Sequence, residues 1–297
     1  MPELPDVLLY IEALRARIVG QTLERIRLTS PFLVRSVVPP ISAIQGKIVR
    51  ALSRLGKQIV WEFDDELFLV IHLMIAGRFQ WKEISAKIPG KLGLAAFDFP
   101  TATLLLTEAG SKKRASLHLV KGLSALAAFD RGALEVLESP LLAFENTLRS
   151  ENHTLKRALT DPRLFSGIGN AYSDEILHRA RLSPMKLTSK LTADEVARLY
   201  DATKRTLTEW IERLQIETGS TFPSKVTAFR PEMAVHGRYG KPCPDCGSPV
   251  QRIVYAENEC NYCAKCQTEG RLLADRALSR LLKQDWPRSL DELEKRW

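Results

Sequence analysis

An α+β protein is predicted: an N-terminal antiparallel β-sandwich or barrel flanked by helices, then a C-terminal helical domain that ends in a cysteine-bearing β-hairpin. Three observations predict it. Apolar and polar residues alternate over much of 22–128, the mark of half-buried strands. The apolar period becomes helical after Asp130-Arg-Gly132 and stays so to about 216. Two Cys-x-x-Cys pairs then flank a short β-like segment near residue 255.

The elements follow in order. Residues 7–20 read as a helix, with Val7, Ile11, Leu14 and Ile18 on one face, Asp6 as N-cap and Gly20 just past the end. Strands are expected at Ile59–Phe63, Leu67–Phe79, Leu94–Phe99 and Ala102–Thr107, with turns at Asp64–Glu66 and Pro100–Thr101. The polar stretch Glu83–Gly93, which holds Pro89 and Gly90, reads as a loop. These limits give a β-rich domain over 1–130, a linker over 131–144 and a helical domain over 145–240, in which Thr192-x-x-Glu195 is a capping box. The cysteine hairpin occupies 241–270 and a tail 271–297. In the tail Gly270–Leu282 suggests an amphipathic helix, Trp286–Pro287 a stop and Ser289-x-x-Glu292 the cap of a last short helix; the tail is expected to pack on the body.

With 297 residues and 45% hydrophobic content the chain is long enough for two cored domains, which excludes general disorder. A formal charge of +8 and a pI of about 9.3 favour a polyanionic partner. No apolar run reaches the roughly 18 residues of a membrane span and no secretory signal is visible, so a cytosolic protein without membrane contact is expected.

Two places carry chemistry. Once Met1 is removed, Pro2 presents a secondary amine followed at once by the Glu3 carboxyl, a nucleophile with its proton donor attached. An α-amino group has a reference pKa of about 7.7–8.0, so an appreciable fraction is free base at neutral pH without deep burial. Cys243, Cys246, Cys263 and Cys266 have the spacing of a four-thiolate zinc ribbon, one structural ion held by two knuckles; Cys260 fits no ligand slot. A third feature, Gly167-Ile-Gly169-Asn170, reads as a tight turn between helices; its backbone amides suit a phosphate oxygen, a packing reason for the glycines is an equal alternative, and Asn170 can cap the next helix or face a ligand.

Taken together, the Pro2-Glu3-Leu4-Pro5 start, Gly56-Lys57 before a strand, the run from Gly167 to Glu175 and the terminal cysteines resemble the formamidopyrimidine-DNA glycosylase / endonuclease VIII family, in the family's order and over nearly the whole chain. The resemblance implies a monomeric, bacterial-type base-excision repair enzyme on damaged double-stranded DNA, with a helix–two-turn–helix element and DNA lying in a cleft between domains. Pro2 would attack the sugar C1′ of a flipped nucleotide and form an imine, followed by strand cleavage at the abasic site. Glu3 would serve as acid/base, and Lys57 would contact phosphate and assist. Asn170, with Lys156 on the preceding helix, would hold the DNA backbone. His72 reads instead as a satisfied core histidine.

The chain also departs from that pattern. Where many members carry a methionine wedge, Ile75 takes the slot and Met74 precedes it; either is apolar enough to fill the stack. In place of an Arg-Phe pair stands Ser111-Lys112-Lys113-Arg114, a cationic loop without an aromatic. Asn258 replaces the hairpin's phosphate-gripping arginine and brings no charge. Asp6 stands for the family's glutamate, and the segment from Gly219 to His236 is shorter than the loop that covers 8-oxoguanine in the purine-specific branch. Oxidised pyrimidines or another lesion are therefore an alternative to oxidised purines. A non-catalytic binder of damaged DNA, or a zinc-ribbon RNA-binding factor, would account for less of the sequence. In the tail, DNA contacts through Arg276, Arg280 and Lys283 are an alternative to packing.

Overall fold

The computed structural model describes all residues except 111, 225, 228, 256–257, 274–280, 282–286, 291 and 293–297. It divides into two units, Met1–Arg131 with Trp210–Ala228, and Gly132–Glu209 with Phe229–Trp297. The helical stretch expected as 145–240 is thus shared, because its 210–228 segment packs with the first unit.

The first unit opens with α1 (Leu4–Ile18), whose Val7, Tyr10, Ile11, Leu14 and Ile18 enter the core. Two antiparallel sheets follow. One has the order β1 (Thr22–Leu23), β3 (Lys47–Leu55), β4 (Gln58–Phe63), β5 (Leu67–His72) and β9 (Ser116–Lys121). The other has β2 (Arg25–Leu28), β7 (Gly93–Phe99), β8 (Ala102–Glu108) and β6 (Gly77–Lys82). Inward residues of both sheets share one core centred on Trp61, with Phe97 5.0 Å and Phe79 6.5 Å away between ring centroids. Truncating such a ring to alanine costs about 3–5 kcal/mol. The outer face of the five-stranded sheet, Val60, Phe68 and Val70, is covered by Leu126 of α2 (Leu123–Ala127) and by Phe129.

One strand differs from expectation. Leu67–Phe79 is not continuous: β5 ends at His72, and β6 starts at Gly77 in the other sheet. The break is a closed turn in which the Gly77 N–H donates to the Leu73 carbonyl at 2.9 Å. A Cβ on Gly77 would lie 2.2 Å from that oxygen, so glycine is required. Alternation of side chains does not register such a crossing between sheets.

The second unit contains α3 (Leu141–Arg149), α4 (Leu155–Thr160), α5 (Asn170–Arg179) and most of α6 (Ala193–Thr218). Thr192 and Glu195 form the expected reciprocal cap of α6, at 3.0 and 3.2 Å. Phe144, Phe165, Ile168, Ile176 and Leu199 are fully buried in this unit. The antiparallel pair β10 (Val250–Tyr255) and β11 (Asn258–Cys263) forms the hairpin, followed by α7 (Ala264–Thr268). Leu272, Leu273 and Leu290 pack on Ile253 and Tyr262, which agrees with a tail docked on the body, and the Ser289 hydroxyl accepts the Glu292 N–H as the cap requires. Arg276, Arg280 and Lys283 lie outside the described residues.

Candidate functional site

In the first unit Pro2, Glu3 and Asp6 are buried, Glu3 with 2% of its surface exposed. Glu3, not Asp6, is the N-cap of α1. Asp6 Oδ2 accepts the Glu3 N–H at 3.0 Å, and the Glu3 carboxylate receives the Asp6 N–H in return. This box starts the helix earlier than apolar spacing suggests, because Pro5 in the first turn needs no partner for its missing N–H. The local field is visible at the Met1 amine. Burial pulls it below its usual 8.0, Glu3 and Asp6 oppose this, and Arg78 and Lys57 add to the depression. At the Met1 amine, burial together with the two cations outweighs the two carboxylates, so the unprotonated form is favoured.

Lys57 occupies the turn between β3 and β4, where Gly56 takes a φ of +59°. Arg78, which the sequence does not single out, opens β6 and donates from Nη1 to the carbonyls of Gly77 at 2.6 Å and Ile75 at 3.3 Å. It thereby braces the turn that holds Ile75, half exposed at 50%, beside Met74 at a φ of +53°. Of the two wedge candidates, Ile75 is the one presented to solvent.

The reading of His72 as a satisfied core residue does not hold. Its Nε2 is buried without a hydrogen-bond partner, and in register it faces Gln58, next to Lys57. Burial first, then the positive charges of Lys57, Arg131 and His118, push its pKa down to about 4, which leaves a neutral imidazole. Only strand pairing reveals this neighbourhood. The loop after β8 is anchored by the buried Glu108 carboxylate, which accepts the N–H groups of Arg114 at 2.9 Å and Ala115 at 3.2 Å. Lys113 Nζ contacts the Glu108 carbonyl, and Lys112, Lys113 and Arg114 are exposed.

In the second unit Gly167 has a φ of +78°, and Gly169 caps α5 in extended backbone. Asn170 Nδ2 donates to the Glu259 carbonyl on β11 at 2.9 Å. Lys156 is not a surface cation: it is 5% exposed, with Nζ 2.6 Å from Asp174 Oδ1, 2.8 Å from Ser173 Oγ and 2.7 Å from the Asn170 carbonyl. The expected phosphate contact is therefore an internal tie beneath the α5 start. Asp174 also meets His236 Nδ1 at 2.8 Å and the Asn261 N–H at 3.1 Å. Burial pushes the Asp174 carboxyl up, but these partners, led by Lys156, hold it below the usual range. Glu175 receives the N–H groups of Ala234, Val235 and His236. Apolar periodicity could not find this cluster. Asn258 begins β11, opposite Tyr255.

The Sγ atoms of Cys243, Cys246, Cys263 and Cys266 lie within 4.8 Å of one another, with Cys246 to Cys263 at 3.4 Å and Cys243 to Cys266 at 3.9 Å. Four thiolates at about 2.3 Å from a tetrahedral ion would be about 3.8 Å apart, so this cluster could bind a metal ion. Cys260 stands outside it on β11. Among the described residues no helix is long and apolar enough to cross a membrane.

A β-sandwich that opens on a buried Pro2-Glu3 pair, in one chain with a glycine-turn helical unit and a four-cysteine hairpin, defines the class of helix–two-turn–helix DNA glycosylases. Family models agree: the formamidopyrimidine-DNA glycosylase N-terminal domain matches residues 1–115, and the formamidopyrimidine-DNA glycosylase H2TH domain matches 135–221. The formamidopyrimidine-DNA glycosylase of Thermus thermophilus is 32% identical over 293 residues, covering 91% of this chain and 100% of the relative. Wild-type Lactococcus lactis FPG (MutM) solved with an oxidized-pyrimidine-containing DNA superposes with a TM-score of 0.78 at 27% identity, over 90% of this chain and 100% of that one. The T221P mutant of the same enzyme with a Fapy-dG-containing DNA gives 0.79 at 26%, over the same shares. The chain belongs to the formamidopyrimidine-DNA glycosylase family.

Proposed function

We propose that this base-excision repair DNA glycosylase works through Pro2 and also cleaves the abasic strand as a lyase. The observation that carries the reading is the buried Pro2-Glu3 start of α1, set in the field of Lys57 and Arg78. After loss of Met1 the Pro2 nitrogen attacks C1′ of an extruded nucleotide. The N–C1′ bond forms as the glycosidic bond breaks; the base leaves with the electron pair and takes a proton from water, while the Glu3 carboxylate takes the proton that the Pro2 nitrogen sheds. Glu3 donates to the ring oxygen as the C1′–O4′ bond opens, which leaves the imine. Loss of a C2′ proton then expels the 3′ phosphate, and water releases Pro2. Lys57 holds phosphate beside this centre, with the neutral imidazole of His72 nearby. Ile75 fills the stack and the Lys112–Arg114 loop lies against the backbone.

Asn170 and the hairpin start at Asn258 supply contacts from the second unit. The metal is zinc: the four thiolates match its preferred donors, and it would hold the hairpin without taking part in the reaction. The protein acts as a monomer in the bacterial cytosol, at the nucleoid. The lesion is an oxidised base. Because one family member has been solved with both a formamidopyrimidine and an oxidised pyrimidine, membership alone does not choose between the two.

The test is borohydride trapping of the Met1-free protein on duplexes that each carry one defined lesion. A covalent adduct through Pro2, absent in Pro2→Gly, is expected. Base release without any trappable adduct would overturn the imine mechanism, and tight binding without release would identify a non-catalytic damage binder.

A further inference from the structure

Helix α5 meets the cysteine hairpin through polar side chains spaced four residues apart. Asn170 reaches the Glu259 carbonyl and Asp174 the Asn261 N–H; one turn further, His178 Nε2 lies 3.3 Å from Cys243 Sγ. Positions i, i+4 and i+8 share one helix face, so the helix that starts at the glycine turn ends against a thiol of the metal-binding cluster. His178 is 4% exposed. A buried ring nitrogen is costly unless it is paired, and Cys243 Sγ is the partner the structure gives it, with Asp245 Oδ2 farther off at 4.0 Å.

Four thiolates on one divalent cation carry net negative charge, which a buried site must offset with N–H donors. Cys263 Sγ has one from the Cys266 backbone at 3.4 Å. We infer that His178 is a positioning residue of the metal centre: when the metal is bound, its Nε2–H donates to the Cys243 thiolate and locks the C-terminal end of α5 to the knuckle. Metal occupancy and the pose of Asn170, at the other end of the same helix, are then coupled. The inference rests on the reading of the four cysteines as a metal site. It assigns His178 a role that neither the Cys-x-x-Cys spacing nor the glycine-turn motif contains.

The experiment loads the full chain with cobalt(II) and follows the thiolate-to-cobalt charge-transfer band and the loss of metal to a chelator. His178→Phe is expected to move the band to lower energy, because the sulfur loses a hydrogen bond, and to weaken metal retention roughly 10-fold. His178→Gln, which keeps an N–H donor, should restore most of both. Cadmium-113-loaded wild type, read by nitrogen-15 NMR of its histidines, covers the case of a Phe variant that does not fold: His178 should show the Nε2–H tautomer with coupling to cadmium. A bare Nε2, or a band unmoved in His178→Phe, overturns the inference while leaving the metal site standing. A chain that binds no cobalt(II) refutes the metal reading itself.

Discussion

Glu3 caps α1 with the same carboxyl group that the proposed mechanism uses as acid, so its replacement must be chosen to separate the two. Glu3→Gln keeps an oxygen to receive the Asp6 N–H but has no proton to donate. Base excision should fall by about 100-fold or more, with the melting temperature nearly unchanged and cleavage of a preformed abasic site less affected. Unchanged excision would mean that the acid is another group. His72 gives the pH dependence. Its folded pKa of about 4 lies below the ordinary 6.5, so the unfolded chain takes up a proton that the folded chain refuses. Stability should therefore be flat above pH 6.5 and fall as the pH drops toward 4, by at most about 3 kcal/mol from this group. An NMR titration of the ring should show the low midpoint, and Lys57→Ala should raise it; a midpoint near 6.5 contradicts the burial argument. Pro2, Glu3 and Lys57 stand out in the sequence as candidates because each belongs to a local motif. His72 does not, because Gln58 and Lys57 reach it only through strand pairing, and Arg78 does not, because the turn it braces is hidden in an apolar run.

Among the elements, α5 shows how burial changes a side chain's meaning. Lys156 reads in sequence as a cation for phosphate, yet the fold turns it inward onto Asp174. Lys156→Met should destabilise the second unit by about 3–5 kcal/mol, since it strands a buried carboxylate. The salt dependence of DNA binding should stay as it was. An intact fold with a salt slope reduced by about one would restore the phosphate-contact reading. The hairpin and the α6 cap were readable because both depend on fixed local spacing. The crossing of the chain between sheets at residues 73–76 was not, since a run of apolar residues on both sides hides it and only the close approach of Gly77 to Leu73 marks it.

Across the whole molecule, the excess of positive charge bears on DNA binding through counterion release. The chain carries a formal +8, and its affinity for DNA should fall linearly with salt on logarithmic axes. Asn258 withholds one cation from the start of β11. Asn258→Arg should tighten binding to an abasic-site duplex and steepen the slope by about one, as measured by fluorescence anisotropy over a salt series. No change in slope would show that position 258 does not face phosphate. The two-part architecture and the family were legible from motif order. The sharing of residues 210–228 with the first unit was not, because α6 runs without a helix-breaking signal between Ala193 and Thr218.

The burial of Pro2 beneath the start of α1 has a practical corollary. On the proposed mechanism, anything still joined to that nitrogen, whether the initiator residue, a leader or an affinity tag, would make it an amide and leave a folded but inert protein. Aminopeptidase trimming would then be a maturation step comparable to activation of a zymogen, and a fusion partner would belong at the other end of the chain.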